Sequence, residues 1–251
     1  MVKEIFSIKN KIFVITGAGK GIGEFLANEL SKYSAIVYGI DKNFPKRKTN
    51  RNYSTLKCDI TNKSQLEKSL KSILKKSKKI DVLINNAGMT KPNKSKNDYS
   101  LIDWKKTLDV NLTGAFLSTQ VFSKIMKKQQ SGSIINITSI NAELGFPENP
   151  AYVSSKGGLK MLTKSFAKDL GKYGIRVNSI GPGYFHTDMT KKSFQNKKSR
   201  ILREKHTLLG RWGDVSDLIG PCIFLASEAS GYVTGQDLYV DGGWIVNGLV
   251  E

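Results

Sequence analysis

Short runs of β-branched and aliphatic residues alternate along the chain with stretches whose apolar side chains return every three to four positions, the signatures of buried strands and amphipathic helices. Lys11–Thr16 (KIFVIT) is a strand closed by glycine, and Gly21–Tyr33 then carries Ile22, Phe25, Leu26 and Leu30 at helical spacing. Ala35–Ile40 and Ser54–Cys58 read as the next two strands. A helix follows from Asn62, a capping residue, with Leu66, Leu70, Ile73 and Leu74 on one face. Asp81–Gly88, Ser131–Ser139, Ile175–Gly183 and Gln236–Gly243 supply four more strands, separated by helices over Leu101–Lys128, Ala151–Tyr173 and Asp214–Ala226.

Continuous apolar strands that each feed a helix call for a parallel sheet covered on both faces, because parallel neighbours need crossovers and those crossovers place helices there. The expectation is a doubly wound α/β fold with a seven-stranded, mostly parallel sheet. No linker, repeat or low-complexity block divides it, so residues 1–251 are read as one domain. Sheets of this kind bind ligands beyond the carboxyl ends of their strands, where the strand order reverses.

Composition narrows the class further. A chain of 251 residues buries enough surface to need no disulfide or metal staple. Cys58 and Cys222 fit a reducing compartment better than a secreted framework. No apolar run approaches the roughly 18 residues of a membrane helix, and the opening MVKEIFSIKN lacks the apolar core of a signal peptide. A cytoplasmic protein with no membrane partner is expected. The formal charge of +19 raises nucleic acid as a partner. The basic residues are dispersed, however, as in Lys46, Arg47 and Lys48, in Lys75, Lys76, Lys78 and Lys79, and in Lys127 and Lys128. Solvated lysine explains them without a specific polyanion site.

The first strand ends in Thr16-Gly17-Ala18-Gly19-Lys20-Gly21-Ile22-Gly23. Glycines let the backbone turn sharply and approach a pyrophosphate, and the following helix offers unpaired N–H groups. A purely structural glycine turn is the plainer alternative. Asp41 closes the second strand 24 positions beyond Gly17, where a carboxylate can accept the adenosine ribose hydroxyls and repel a 2′-phosphate, favouring NAD over NADP, or can simply cap the turn after the strand. Lys20, Lys42, Lys46 and Arg47 lie close enough in sequence to keep NADP open. Asp59, in Cys58-Asp59-Ile60, either receives the adenine amino group or caps the next helix. Asn85-Asn86-Ala87-Gly88 leaves small residues over the sheet edge, with Asn side chains able to pair turn backbone.

Ser139 follows the fifth strand, and Tyr152 and Lys156 open the next long helix. The Y-x-x-x-K spacing puts phenol and amine on one helix face. An ordinary tyrosine, with a pKa of about 10, is too weakly acidic to act as a base at neutral pH. A cation ~4 Å away at an effective dielectric of ~20 contributes about 4 kcal/mol, roughly three pK units, so the phenol is expected to be acidified by the lysine. It would exchange a proton with a secondary alcohol or ketone, with the Ser139 hydroxyl holding the oxygen.

Taken together, Thr16–Gly23, Asn85–Gly88, Ser139, Tyr152, Lys156 and Pro182-Gly183 resemble the short-chain dehydrogenase/reductase family over nearly the whole chain. The resemblance implies a Rossmann fold and a catalytic set of Asn111, Ser139, Tyr152 and Lys156, with Asn111 at a helix kink relaying protons from Lys156. It implies dinucleotide contacts from Gly17, Lys20, Gly21, Ile22 and Gly23, from Asp41, Asp59 and Ile60, and from Asn86, Ala87 and Gly88. Tyr152, Lys156, Pro182, Gly183, Phe185 and Thr187 complete that set, although Phe185 stands where the family often has an aliphatic residue. Leu209–Gly213 and Val233–Trp244 resemble the family's C-terminal end, which implies a homotetramer. His186 and His206 lack ligand spacing, so no metal is expected.

The resemblance implies a small carbonyl or alcohol compound as substrate. The opening and closing segments are similar to gluconate 5-dehydrogenase-like members and to 3-oxoacyl-carrier-protein reductases. Tyr184–Gly210, polar and without strong periodicity, is expected to be the substrate lid. Its Lys191, Lys192, Lys197, Lys198, Arg200 and Arg203 either attract an acidic substrate or are simply solvated. Asn141, Glu143 and Glu148 are candidates for the hydroxyls of a sugar acid, Glu143 and Glu148 being equally readable as solvated loop residues. Met89 and Thr90 are candidates for the pocket wall, and Lys124, Lys127 and Lys128, placed near the cleft, for docking an acidic carrier protein. Sugar acid is the first reading, the carrier-bound thioester the second, and a non-catalytic dinucleotide sensor the third.

Overall fold

In the structure, a computed structural model that describes residues 2–45, 50–93 and 98–248, a short α1 (Val2–Ile5) precedes β1 (Ile12–Thr16). The glycine turn leads into α2 (Gly21–Lys32), then β2 (Ile36–Asp41), β3 (Tyr53–Lys57), α3 (Lys63–Ser77) and β4 (Val82–Asn85). Next come α4 (Leu101–Leu108), α5 (Gly114–Gln129), β5 (Gly132–Ile137), α6 (Pro150–Leu170) and β6 (Ile175–Pro182). The chain continues through α7 (Lys191–Gln195), α8 (Lys197–His206), α9 (Ile219–Ala226) and β7 (Asp237–Val240). Asn62 caps α3 as expected, its side chain accepting from Gln65 N at 3.1 Å.

The seven strands form one sheet in the order β3-β2-β1-β4-β5-β6-β7, and every neighbouring pair is parallel. From β1 the chain builds outward first through β2 and β3 and then, on the other side, from β4 onward. The strand order therefore reverses between β1 and β4, and the ends of those strands flank a natural crevice.

Alternation within the strands sends side chains to two cores. Phe13 and Ile15, Val82 and Ile84, and Ile135 and Ile137 pack under α2 and α9 against Leu26, Leu30, Cys222 and Leu225. Val14, Leu83 and Ile134 face α3, α5 and α6, meeting Leu66, Ile73, Phe122, Met126 and Leu170. With both faces covered, period-two polarity disappears, which is why the strands read as continuous apolar runs. Among the described residues no helix is long and apolar enough to cross a membrane.

A line of buried polar groups crosses the second face just below the strand ends. Asn85 Nδ2 donates to Thr119 Oγ1 at 2.9 Å and to Asn136 Oδ1 at 2.8 Å. Asn136 Nδ2 donates to Thr163 Oγ1 at 2.8 Å. These bonds tie α5, β4, β5 and α6 together.

The helix expected over Leu101–Lys128 is interrupted. Asp109–Thr113 forms a π-helical turn between α4 and α5, the local widening that often marks functional positions. The segment expected to lack periodicity, Tyr184–Gly210, contains α7 and α8. Helix α8 is almost wholly polar, so apolar recurrence could not reveal it.

Candidate active site

The glycine turn is packed too closely for other residues. At Gly17 (φ +68°) a Cβ would lie 2.6 Å from Ala87 Cα. At Gly23 it would lie 2.3 Å from both Asn86 Nδ2 and Gly17 O. Asn86 closes this contact, donating from Nδ2 to Thr16 O at 3.0 Å and to Gly17 O at 3.1 Å. Thr16 Oγ1 accepts from Asn86 N at 3.1 Å and Ala87 N at 3.2 Å. The ends of β1 and β4 are thereby stitched across the crevice.

Gly21 differs: at φ +60° a Cβ would meet nothing within 4 Å and would instead fill the space in front of α2. Lys20, at the N-cap of this helix, gives it no side-chain cap. Open space before uncapped N–H groups at the positive end of a helix fits a pyrophosphate. The residues present therefore fit a dinucleotide, whose phosphates the segment from Gly17 to Gly23 could hold.

Beyond the turn, Asp41 takes the turn-capping role. Its Oδ2 accepts from Gly19 N at 2.9 Å and its Oδ1 from Asn43 N at 3.2 Å, so it fixes the turn while keeping negative charge at the end of β2. Lys42 is engaged by Asp59 at 2.8 Å. Lys46, Arg47 and Lys48 lie outside the described residues. Asp59 does not cap α3; it folds onto Thr61, accepting from its N at 3.0 Å and its Oγ1 at 2.8 Å. Although burial works against ionisation, the bonds from Lys42 and Thr61 hold the Asp59 carboxyl below its usual range. Ile60 is buried beneath Gly114.

The residues singled out for chemistry converge between the end of β5 and the start of α6. Ser139 is buried, its Oγ accepting from Asn141 N at 3.2 Å. Lys156 is only 4% exposed, and its Nζ donates to Ile137 O at 2.7 Å. It sits 5.6 Å from the centroid of the Tyr152 ring. A Cβ on Gly88 would lie 3.5 Å from Asn111 Oδ1 and 3.7 Å from Lys156 Nζ, so these three residues meet at the exit of β4. Asn111, fully buried in the π turn, locks onto Met89, accepting from its N at 2.8 Å and donating to its O at 2.9 Å. It also donates to Ser155 Oγ at 3.0 Å, and Ser155 donates to Tyr152 O at 2.7 Å. Ser155 thus couples the π turn to the tyrosine. Sequence reasoning missed it because one serine in a helix gives no signal until the neighbouring helix is placed.

The electrostatics correct one expectation. Burial pushes the Tyr152 phenol above its ordinary value; the Ser139 hydroxyl pulls it back, and Tyr184 adds to the rise. Dense protein around the phenol makes desolvation dominate. The Lys156 ammonium is itself lowered from 10.5 to about 8 by burial, and it does not override that effect on its neighbour. At neutral pH the pair is a protonated phenol beside a protonated, poorly solvated amine.

Around this centre, Pro182 and Gly183 end β6, and a Cβ on Gly183 would press on Asp241 Cα at 2.8 Å. Phe185 turns its ring into the core against Gly213, leaving its backbone on the cleft side. Thr187 shares its hydroxyl with Thr190 at 3.2 Å. Thr90 accepts from Asn149 Nδ2 at 2.6 Å, and Met89 contributes its backbone to the Asn111 bonds. Glu143 is exposed, as a solvated residue would be, but it is not a free acceptor: it is held by Lys160 and by Tyr239 OH at 2.8 Å, which keep its carboxyl below the usual range. Glu148 is exposed with φ +60°. The expectation that Lys124, Lys127 and Lys128 flank the cleft is corrected. They end α5, where the chain enters β5, at the opposite edge of the sheet from Ser139. Lys124 also pairs with Glu67 at 3.3 Å.

Because burial lowers Lys156, the native protein loses this proton near pH 8 while the unfolded chain holds it to about 10.5. Between those values the unfolded state binds more protons, so stability rises with pH. Wild type should therefore gain roughly 3 kcal/mol relative to Lys156→Met between about pH 7 and about pH 10.5 in urea denaturation. A stability difference independent of pH would contradict the burial of a charged ammonium.

Residues 17–245 match the family model described as Enoyl-(Acyl carrier protein) reductase. The chain is 38% identical to the uncharacterized oxidoreductase YgcW of Escherichia coli, covering 97% of this chain and 95% of that one. It is 35% identical to 5-keto-D-gluconate 5-reductase of the same organism, covering 98% and 99%. The structure superposes with a TM-score of 0.91 on a gluconate 5-dehydrogenase from Burkholderia cenocepacia in complex with NADP and tartrate, at 32% identity over 98% of this chain and 99% of that one. With the glycine turn, the tyrosine–lysine helix and the all-parallel sheet in place, the chain belongs to the short-chain dehydrogenase/reductase family and is an NAD(P)-dependent oxidoreductase.

Proposed function

We propose that the protein interconverts a secondary alcohol and a ketone on a sugar acid, as the relatives named for 5-keto-D-gluconate and gluconate do. The convergence of Ser139, Tyr152, Lys156 and Asn111 at the end of β5 carries this reading. When bound, the dinucleotide supplies or accepts the hydride. Tyr152, kept protonated by its surroundings, donates a proton to the ketone oxygen, which the Ser139 hydroxyl orients. Lys156 stabilises the phenolate that results, and Asn111 fixes the β4 exit against α6 through Met89 and Ser155. The tartrate in the Burkholderia complex, a hydroxy acid, supports an acidic polyol substrate. A carrier-bound thioester is less well supported, since the lysines offered for docking a carrier lie at the far edge of the sheet.

NAD is the preferred cofactor in this proposal: Asp41 keeps its charge where a 2′-phosphate would sit, and Lys42 is occupied by Asp59. A cytoplasmic location is supported by two free, buried cysteines. Residues 184–210 are assigned as the lid. A homotetramer is supported by two apolar faces. One is a groove of about 440 Å³ along α5 and α6 that includes Leu112, Phe116, Met161 and Leu162 and contains none of the proposed site residues. The other carries exposed Leu208 and Leu209 beside Gly242 and Gly243.

Three outcomes are expected. Purified protein with NADH reduces 5-keto-D-gluconate in preference to acetoacetyl thioesters, and Tyr152→Phe loses roughly 10²- to 10⁴-fold in kcat with cofactor affinity retained; no ketone turnover with cofactor bound would overturn the assignment. Asp41→Asn keeps an acceptor for Gly19 N but removes the charge, and should shift the NADPH-to-NADH preference about tenfold toward NADPH. An unchanged ratio would remove Asp41 from cofactor selection. Light scattering should give a tetramer mass, and a monomer would refute the assembly.

A further inference from the structure

The lid contains a guanidinium that the chemistry above does not use. Between Lys191 and His206 the chain carries seven lysines and arginines against the single carboxylate Glu204, so the lid presents positive potential to anything entering. Two arginines here are neutralised: Arg200 pairs with Glu204 at 3.7 Å, and Arg211, just past the lid, pairs with Asp217 through both nitrogens at 2.8 and 3.0 Å. Arg203 has no carboxylate partner among the described residues. Its Nη1 donates to Ser199 O at 3.0 Å, while its Nε is buried without any hydrogen-bond partner.

The guanidinium lies over the Tyr184 ring at 4.5 Å and beside Trp212 at 5.9 Å. Tyr184 directly follows Pro182-Gly183 and is near enough to Tyr152 to influence its ionisation. Aromatic stacking fixes the plane of an arginine and strips it of water, yet its hydrogen-bonding edge remains under-used. A half-buried, incompletely bonded guanidinium one ring away from the reacting tyrosine is suited to a planar, two-oxygen anion.

We propose that Arg203 is the specificity residue that holds the substrate's carboxylate, with Tyr184 and Trp212 as the aromatic shelf that orients it. This inference rests on the sugar-acid reading and names the part of the site that would enforce it. A neutral ketose would lack this anchor, and an acid would be drawn in by the lid and oriented with its ketone toward Tyr152.

The test is steady-state reduction of 5-keto-D-gluconate by wild type, Arg203→Gln, Arg203→Lys and, as a control from the same helix, Lys198→Gln, with thermal melts of each. Arg203→Gln should raise KM about 30-fold while kcat stays within about threefold. Arg203→Lys, which keeps the charge but loses the fork, should fall between. Lys198→Gln should leave KM within about twofold. The inhibition constant of D-gluconate should weaken in parallel with KM. An Arg203→Gln protein that melts like wild type with unchanged KM overturns the proposal. If that variant does not fold, an unchanged KM in Arg203→Lys overturns it instead. Wild type that turns over no keto sugar acid defeats the underlying functional reading, an outcome distinct from either.

Discussion

A lysine ammonium shut away from water with a backbone carbonyl as its hydrogen-bond partner is costly, and the surrounding architecture serves to keep it there. Lys156 reaches Ile137 O at the last residue of β5. That carbonyl is available because the strand ends at that point and the chain turns away through Ser139. The amine is positioned because α6, starting at Pro150 after the loop that follows Ser139, packs over a line of buried asparagines and threonines that ties the strands to the helices. Burial lowers the ammonium's proton affinity and raises that of the neighbouring phenol. Desolvation thus moves both groups toward their neutral forms, and at neutral pH both still carry their protons.

The same atoms often serve the fold and the chemistry. Asn86 closes the glycine turn with both of its side-chain bonds, Asp41 fixes Gly19 while charging the end of β2, and Asn111 pairs with Met89 almost as one strand pairs with another. At Gly21 the missing side chain lets the backbone take φ +60° at the start of α2, where nothing else in the protein crowds the helix end.

Much of this was legible in the sequence because it is written in local chemistry. The alternation of apolar runs and amphipathic stretches gave the strand and helix order, and glycine spacing and the Y-x-x-x-K interval located the turn and the tyrosine–lysine pair. What escaped depends on tertiary contact. The π turn at Asp109–Thr113 leaves no mark in apolar periodicity, although family resemblance pointed to a kink at Asn111. Ser155 acquires a partner only when that turn packs on α6. Helix α8 is too polar to be seen by its apolar face. The capture of Glu143 by Lys160 and Tyr239 joins residues from three separate elements. At Tyr152 the sequence shows the neighbouring charge but not the depth of burial that opposes it. The lysines of α5 were misplaced because antiparallel packing of a helix on its strand sends its C-terminus to the far edge.

The most direct test of the central claim is the pH dependence of kcat/KM for ketone reduction by the wild-type enzyme. If a buried, protonated Lys156 supports proton donation by Tyr152, the profile should be flat through neutrality and fall as the ammonium is lost near about pH 8. A profile that holds until about pH 10, where an ordinary solvated lysine or tyrosine titrates, would contradict it.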